Sequence, residues 1–454
     1  MNRAVRPEDI AATLLPPVYD IAAELSDLPR DVEDWPCARD PGIQPQIAAC
    51  LENARRHGGW HWPDSPVVFL SDTHADAEGF LRSLVAAGVI RRDPDRRGFA
   101  LTEFGRAARI ILGGDSLDKG PSNLAMLDAL AALRATGADL TILAGNHDLR
   151  LRLAVSALRG PRAPLTDHLF VRMGRKILPA LREVHDRFVT PADLAALPDE
   201  AACRARLVPG PDWADAFAAA ASGQLPARTI RKEIRKLNEK RAKFDRELRR
   251  TGLSDRALLA AALKCHDVFF TPGGAYAWFY EEMDVVARSG SLLFVHAGIC
   301  DSMCALLAKG GVAAINARYR AGAENPTLAF YFGPLANLVR TKYRSSDWDL
   351  TEQGVGLLQG AGIHMVVHGH VNSHAGQRLR AKRGLLHLEG DVTLDRASRR
   401  LEGLEGIGAG ATLIFPSGDV IGLSRDYPRA KHFAPDRDSQ TGRGYGGQDH
   451  AVRA

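Results

Sequence analysis

The stretch Pro66-Val-Val-Phe-Leu-Ser-Asp-Thr-His74 is a short apolar run that stops abruptly on an aspartate and a histidine one residue apart. A run of this length, bounded by proline and polar residues, reads as a buried strand. It delivers Asp72 and His74 to its carboxyl end, where α/β sheets keep their sites. The pattern recurs. Arg109-Ile-Ile-Leu-Gly-Gly-Asp115 ends on a carboxylate, and Leu140-Thr-Ile-Leu-Ala-Gly-Asn-His-Asp148 on an amide, an imidazole and a carboxylate. Leu292-Leu-Phe-Val-His296 and Met365-Val-Val-His-Gly-His370 finish on histidine. Five hydrophobic runs ending in groups that bind metal or move protons argue for one shared site.

The 454 residues, 45% hydrophobic and 25% charged, suffice for a sizeable core and suggest two or three domains. Leu14-Leu15-Pro16-Pro17 breaks the only early apolar run, so no leader is expected. No stretch reaches the roughly 18 apolar residues that span a bilayer, and the chain reads as cytoplasmic with no membrane partner. The cysteines (Cys37, Cys50, Cys203, Cys265, Cys300, Cys304) lack the paired spacings of a zinc site and read as reduced thiols. The formal charge of +5 suggests nucleic acid at first sight. From Arg228 to Arg250, however, eleven basic residues face four acidic ones, so this one segment carries more than the whole excess.

Taken in order, residues 1–62 read as a helical lead-in, with helices over Ile10–Leu25 and Ile47–Arg56 and a connector bearing proline and tryptophan. Residues 63–150 alternate strand and helix. Leu124, Leu127, Leu130 and Leu133 mark one helical face, which Gly137 ends. Over 151–290 the alternation gives way to Ala-, Leu- and Arg-rich sequence, read as an inserted, cap-like helical subdomain. Ile230, Ile234, Leu237, Phe244 and Leu248 form its seam, interrupted by Arg241. Strands resume over 291–427, and 428–454, rich in Gly, Arg and Asp, reads as a disordered tail.

The strand ends hold the inventory of a dinuclear metal centre, which needs a shared carboxylate with imidazole and oxygen ligands around it. Asp72 and His74 would hold one ion, Asp115 would bridge, and Asn146, His296 and His370 would hold the second. His147 is read as a general acid at the rim, oriented by Asp118.

Asp72-Thr-His74, Gly114-Asp-Ser-Leu-Asp-Lys-Gly120, Gly145-Asn-His-Asp148, His296-Ala-Gly298 and Gly369-His370 stand in order. They closely resemble the five motifs of the calcineurin-like metallophosphoesterases, over roughly residues 66–150 and 291–425. The resemblance implies an α/β fold, a four-layer αββα sandwich of two facing sheets flanked by helices. It also implies two divalent ions (Mn, Fe, Zn or Co) and hydrolysis of phosphate esters by a metal-bound hydroxide. Phosphoprotein-phosphatase-like members usually carry arginine where this chain has Lys119, which grips phosphate as a point charge. The phosphate clamp is therefore expected to draw on Arg340 and Arg344. Gly369-His-Val-Asn372 departs from the Gly-His-x-His of many phosphodiesterases and nucleases and favours a phosphomonoesterase. His374 lies near enough to be a competing ligand.

Simpler readings stand beside these. His185, His266, His364 and His387 read as core or surface groups, and His368 as a hydrogen-bonding residue beneath the site. The basic segment reads as a solvated helix with pairs such as Glu239 and Lys243, in preference to a nucleic-acid grip. Phe269 to Tyr280 reads as packing between insert and core, or else as the mouth of the site. Rival functions are a phosphodiesterase or nuclease, a dinucleoside polyphosphate hydrolase, and a non-catalytic scaffold. The last would be expected to lack His147 or a ligand, and this chain lacks none.

Overall fold

A computed structural model describes residues 28–29, 31–35, 43–92, 98–324 and 327–435. The expected helix over Ile10–Leu25 and the chain from 436 onward lie outside them. Two sheets dominate. The larger runs in the order β1 (Val32–Asp34), β14 (Ala430–Phe433), β13 (Val420–Ser424), β12 (Gly410–Ile414), β2 (Val67–Leu70), β5 (Arg109–Leu112) and β6 (Asp139–Ile142). The smaller runs β10 (Arg378–Lys382), β11 (Leu385–Glu389), β9 (Met365–His368), β8 (Leu292–Val295) and β7 (Val286–Ser289). A separate hairpin joins β3 (Ile90–Arg92) to β4 (Phe99–Leu101).

Alternate residues of the central strands separate the layers. Val67, Phe69 and Ile111 share one apolar cluster with Phe294, Val367 and Leu388, and the rings of Phe69 and Phe294 lie 5.9 Å apart. Val68, Leu70 and Ile110 on one sheet, and Leu293, Val295 and Val366 on the other, face helices instead. Both faces of each sheet are thus covered, giving the αββα sandwich. Strands covered on both faces appear as continuous apolar runs without alternation.

Register brings the strand ends level. In the parallel set β2, β5 and β6, Leu70 pairs with Leu112 and Leu112 with Ile142. In the facing sheet Val295 pairs with His368. The loops that follow these strands therefore start side by side. Between β6 and β7 the chain is helical, and Leu169–Phe188, Ala227–Thr251 and Asp255–Phe269 pack together. Along Ala227–Thr251, Ile230, Leu237, Phe244 and Leu248 are buried and Ile234 is partly so. No helix among the described residues is long and apolar enough to cross a membrane.

Two expectations about the chain ends need correction. The lead-in contains strand β1, and the tail expected from 428 begins with strand β14, which pairs with β1 in parallel and with β13 antiparallel. The central residues of β14 are Lys431 and His432, both buried, so no apolar run announced the strand. The Lys431 ammonium donates to the carbonyls of Ala375 and Gln377 at 2.6 and 2.7 Å. His432 Nε2 lies 2.8 Å from Asp419.

Candidate active site

The residues that end the five apolar runs meet at one cavity of about 330 Å³. Asp72, His74, Asp115, Asn146, His147 and His370 line it, and His296 lies buried behind Asp115 at 3.4 Å. Backbone bonds tie the loops to one another. Asp72 N donates to Gly114 O at 3.0 Å, His74 N to Asp115 O at 2.9 Å, and His370 N to Asp72 Oδ2 at 2.9 Å. The cost is carried by the backbone. Asp72, His74, Asp115, Asp118, Lys119 and His370 all have φ between 44° and 72°, the left-handed region that side chains avoid at a cost of roughly 1–3 kcal/mol each. Asp148 holds the geometry from beneath. Its carboxylate accepts from Asp115 N (2.8 Å), Gly145 N (2.9 Å) and Leu117 N (3.1 Å). A Cβ at Gly145 would fall 2.0 Å from Asp115 N, so only glycine permits this approach.

Electrostatics follow from burial. Burial pushes the Asp72 carboxyl up, while His296 pulls it down and Asp115 pushes it further up. Burial opposes ionisation of Asp115 as well, but His296 and His147 outweigh it and hold this carboxyl well below the usual range. Burial also works against charge on His296, yet Asp115 and Asp72 push it up to about 10. The Lys119 ammonium sits 2.6 Å from His74 Nε2. The paired carboxylates thus favour the charged form of His296, while burial outweighs them at His74, His147 and His370.

Two sets of side chains have the geometry to hold a metal ion. Asp115, His296 and His370 form one, and His74, Asp115 and His147 the other, with ligating atoms within 4.8 Å of one another in each. Asp115 belongs to both. Nε2 of His296 and of His370 is buried without a hydrogen-bond partner, while His296 Nδ1 is fixed at 2.8 Å from Gly113 O. A buried nitrogen left without a partner beside a carboxylate suits a cation. His147 Nδ1 is 2.5 Å from Asp118 Oδ2, which leaves Nε2 3.8 Å from Asp115. Burial pushes His147 down to about 4 against the pull of Asp115 and Asp118.

The arginines expected to hold phosphate are placed elsewhere. Arg340 stacks 4.8 Å over the ring of Tyr331, and neither it nor Arg344 lines the cavity. The cations that do are Lys119, Arg150, Lys176 and Lys342. Arg150 follows Asn146 by one helical turn, a spacing visible in the sequence. Lys176 comes from the helix Leu169–Phe188, and nothing local announces it. Asp391, two residues beyond β11, repeats the strand-end pattern and also lines the cavity. Asn372 lines the cavity and bonds to Glu402, whereas His374 does not line it and pairs with the other Glu402 oxygen at 3.1 Å. His368 is buried, with Nδ1 2.9 Å from Gly369 O. The aromatic stretch packs below the site: Phe269 and Phe279 are fully buried, and Tyr280 OH donates to Asp148 O at 2.9 Å.

No protein-family model matches the sequence, and no curated protein matches it. Among solved structures the chain is similar to a cold-active protein tyrosine phosphatase at 14% identity and TM-score 0.42, over 84% of this chain and 82% of that one. A cold-active protein-tyrosine phosphatase of the psychrophile Shewanella sp. aligns at 14% identity and TM-score 0.40 over 84% of each chain. A protein serine/threonine phosphatase from Saccharomyces cerevisiae aligns at 10% identity and TM-score 0.33 over 83% of each.

Proposed function

We propose that this chain is a dinuclear metal-dependent phosphoesterase of the calcineurin-like kind that acts on phosphomonoesters. The observation that carries the reading is the arrangement around Asp115. This one buried carboxylate belongs to two potential ligand sets, with partnerless imidazole nitrogens at His296 and His370. Asp72 and His74 would hold one ion, Asn146, His296 and His370 the other, and Asp115 both. Two divalent ions there would supply an activated water and neutralise the charge that grows on the phosphoryl oxygens. The protein's own residues do the rest. Lys119, Arg150 and Lys176, which line the cavity, would bind and orient the phosphate in place of Arg340 and Arg344, which do not line it. His147, steered by Asp118, would protonate the leaving oxygen through Nε2.

A second reading concerns His147 alone. Its Nε2 groups with His74 and Asp115, so it has the geometry of a ligand as well as of an acid. Metal content decides this: an acid leaves loading intact when removed, and a ligand does not.

The test of the whole reading is metal analysis of the purified protein, paired with one assay of phosphomonoesters, diesters, phosphopeptides and dinucleoside polyphosphates. About two equivalents of divalent metal and fastest release from monoesters are expected. Preference for diesters, with activity falling steeply as salt rises, would favour a nuclease. Metal-free protein that hydrolyses none of them after reconstitution would overturn the proposal.

A further inference from the structure

The long helix of the insert, Ala227–Thr251, is sided by charge as well as by burial. Ile230, Leu237, Phe244 and Leu248 are buried, and the helix packs on Leu169–Phe188 and Trp213–Ala221. On the opposite side Arg228, Lys232, Arg235, Lys243, Arg246 and Arg250 are exposed. Together with Glu239 they follow one another at steps of three or four residues, so they stand in one straight row along the helix. Arg231 and Arg249 flank the row and are exposed as well. From Arg228 to Arg250 the row is about 33 Å long, at roughly 1.5 Å per residue.

The acids of this helix do little to neutralise it. Glu233 is buried and bound to Arg172 at 2.8 Å, and Asp245 is taken by Arg204 of the helix Glu200–Leu207. Glu247 pairs with Arg250 at 2.6 Å. Glu239, the only exposed acid of the helix, lies 3.8 Å from Arg235. Because Glu239 goes to Arg235, the expected pair with Lys243 does not form. Among the described residues, Arg228, Arg231, Lys232, Lys243, Arg246 and Arg249 have neither a carboxylate partner nor a side-chain hydrogen bond. Like charges one helical turn apart repel, so these side chains weaken the helix they stand on unless an anion joins them.

We infer that this row docks the protein on duplex nucleic acid through the phosphate backbone, without reading sequence. A straight, regularly spaced row of cations complements a regularly spaced row of anions, and a duplex carries about one charge per 1.7 Å of its axis. Arginine predominates in the row, and its planar fork matches two oxygens of a phosphate. The other exposed positions of this face, such as Asn238 and Ala242, bring no aromatic ring on which unpaired bases could stack, which disfavours single strands. They bring no large apolar anchor either, on which protein interfaces and membrane-surface helices rely. The surface lies outside the cavity, and its role does not depend on what the cavity hydrolyses.

The test is fluorescence anisotropy of a labelled duplex of about 20 base pairs, titrated with the full chain from about 25 to 200 mM salt. A denaturing gel checks that the duplex stays intact. DNA and RNA duplexes are run in parallel, and binding of either sustains the inference. Micromolar affinity is expected at the lowest salt, with log affinity falling against log salt at a slope of about −4 to −5, the value for about five phosphate contacts. Arg231→Gln/Lys232→Gln/Arg246→Gln should flatten the slope by about 2 to 3 and weaken binding about tenfold or more at low salt. Arg55→Gln/Arg56→Gln/Arg106→Gln removes as much charge from other exposed positions and should leave the slope unchanged. Circular dichroism checks the fold of both variants. Equal losses in the two variants would overturn the inference, since net charge alone would account for them, and so would a duplex left unbound at the lowest salt. A single strand bound more tightly than the duplex would overturn it as well. So would poly-glutamate or phosphatidylserine vesicles that retain the chain while the duplex does not, in favour of an acidic protein or a membrane surface.

Discussion

The two sides of the cavity are built differently. On one, Asp72, His74, Asp115 and His370 sit in loops tied to each other by backbone hydrogen bonds, several in a left-handed conformation and all buried or nearly so. On the other, Arg150 and Lys176 reach in from the helices Asn146–Arg159 and Leu169–Phe188. The first side is preorganised at the expense of backbone strain, which suits groups that must hold a fixed geometry. The second relies on charge carried by long, adaptable side chains, which suits recognition. If that contrast is sound, damage to the first side abolishes chemistry, and damage to the second shifts which substrates are taken.

The largest effect is expected at Asp115. Asp115→Asn should lose metal from both positions and lower kcat/KM by more than about a thousandfold, with the fold retained by circular dichroism. A variant that keeps full metal content and activity would remove the shared carboxylate from the scheme. His147→Ala comes next. It should retain its metals and lose about a hundredfold to ten-thousandfold in kcat on alkyl phosphates, and much less on p-nitrophenyl phosphate, whose leaving group needs no proton. Loss of metal in this variant would make His147 a ligand instead.

A third expectation concerns stability. Asp148→Ala would leave the amides of Asp115, Leu117 and Gly145 without their acceptor, so unfolding should become easier by about 2–4 kcal/mol in denaturant titration. An unchanged midpoint would mean that the loops are held without it. The smallest effect is expected at His432, on the strand next to the sheet edge. Burial lowers His432, but Asp34 and Asp419 outweigh it and raise the group above its ordinary value of 6.5. A raised folded-state value gives stability that is complete below 6.5 and is lost as pH climbs through the folded value. The melting temperature of the wild type should therefore fall from pH 6 toward pH 8 more than that of His432→Asn. Parallel curves would exclude the ion pair as a contributor.

The core and the carboxylate and imidazole side of the cavity are legible in the sequence because both depend on local signals. A strand buried on both faces must be continuously apolar, and the polar residue that follows its last buried position must lie at the sheet's end. That logic located Asp72, Asp115, Asn146, His296 and His370 without knowledge of any contact. It located neither strand β14, whose buried centre is Lys431 and His432, nor the cations that line the cavity in place of Arg340 and Arg344.

By itself the amino-acid order determined the strand ends and the carboxylates and imidazoles that close them, since periodicity and turn chemistry act over a few residues, while the αββα sandwich is expected only from the resemblance of the motifs. Tertiary structure alone decided which cations face the cavity and which are silenced by a partner. Lys176 is separated from the motifs by tens of residues, and its place at the cavity depends on how its helix packs. Whether a charge is paired or exposed to a ligand is a matter of distances across the fold, and no local pattern encodes them.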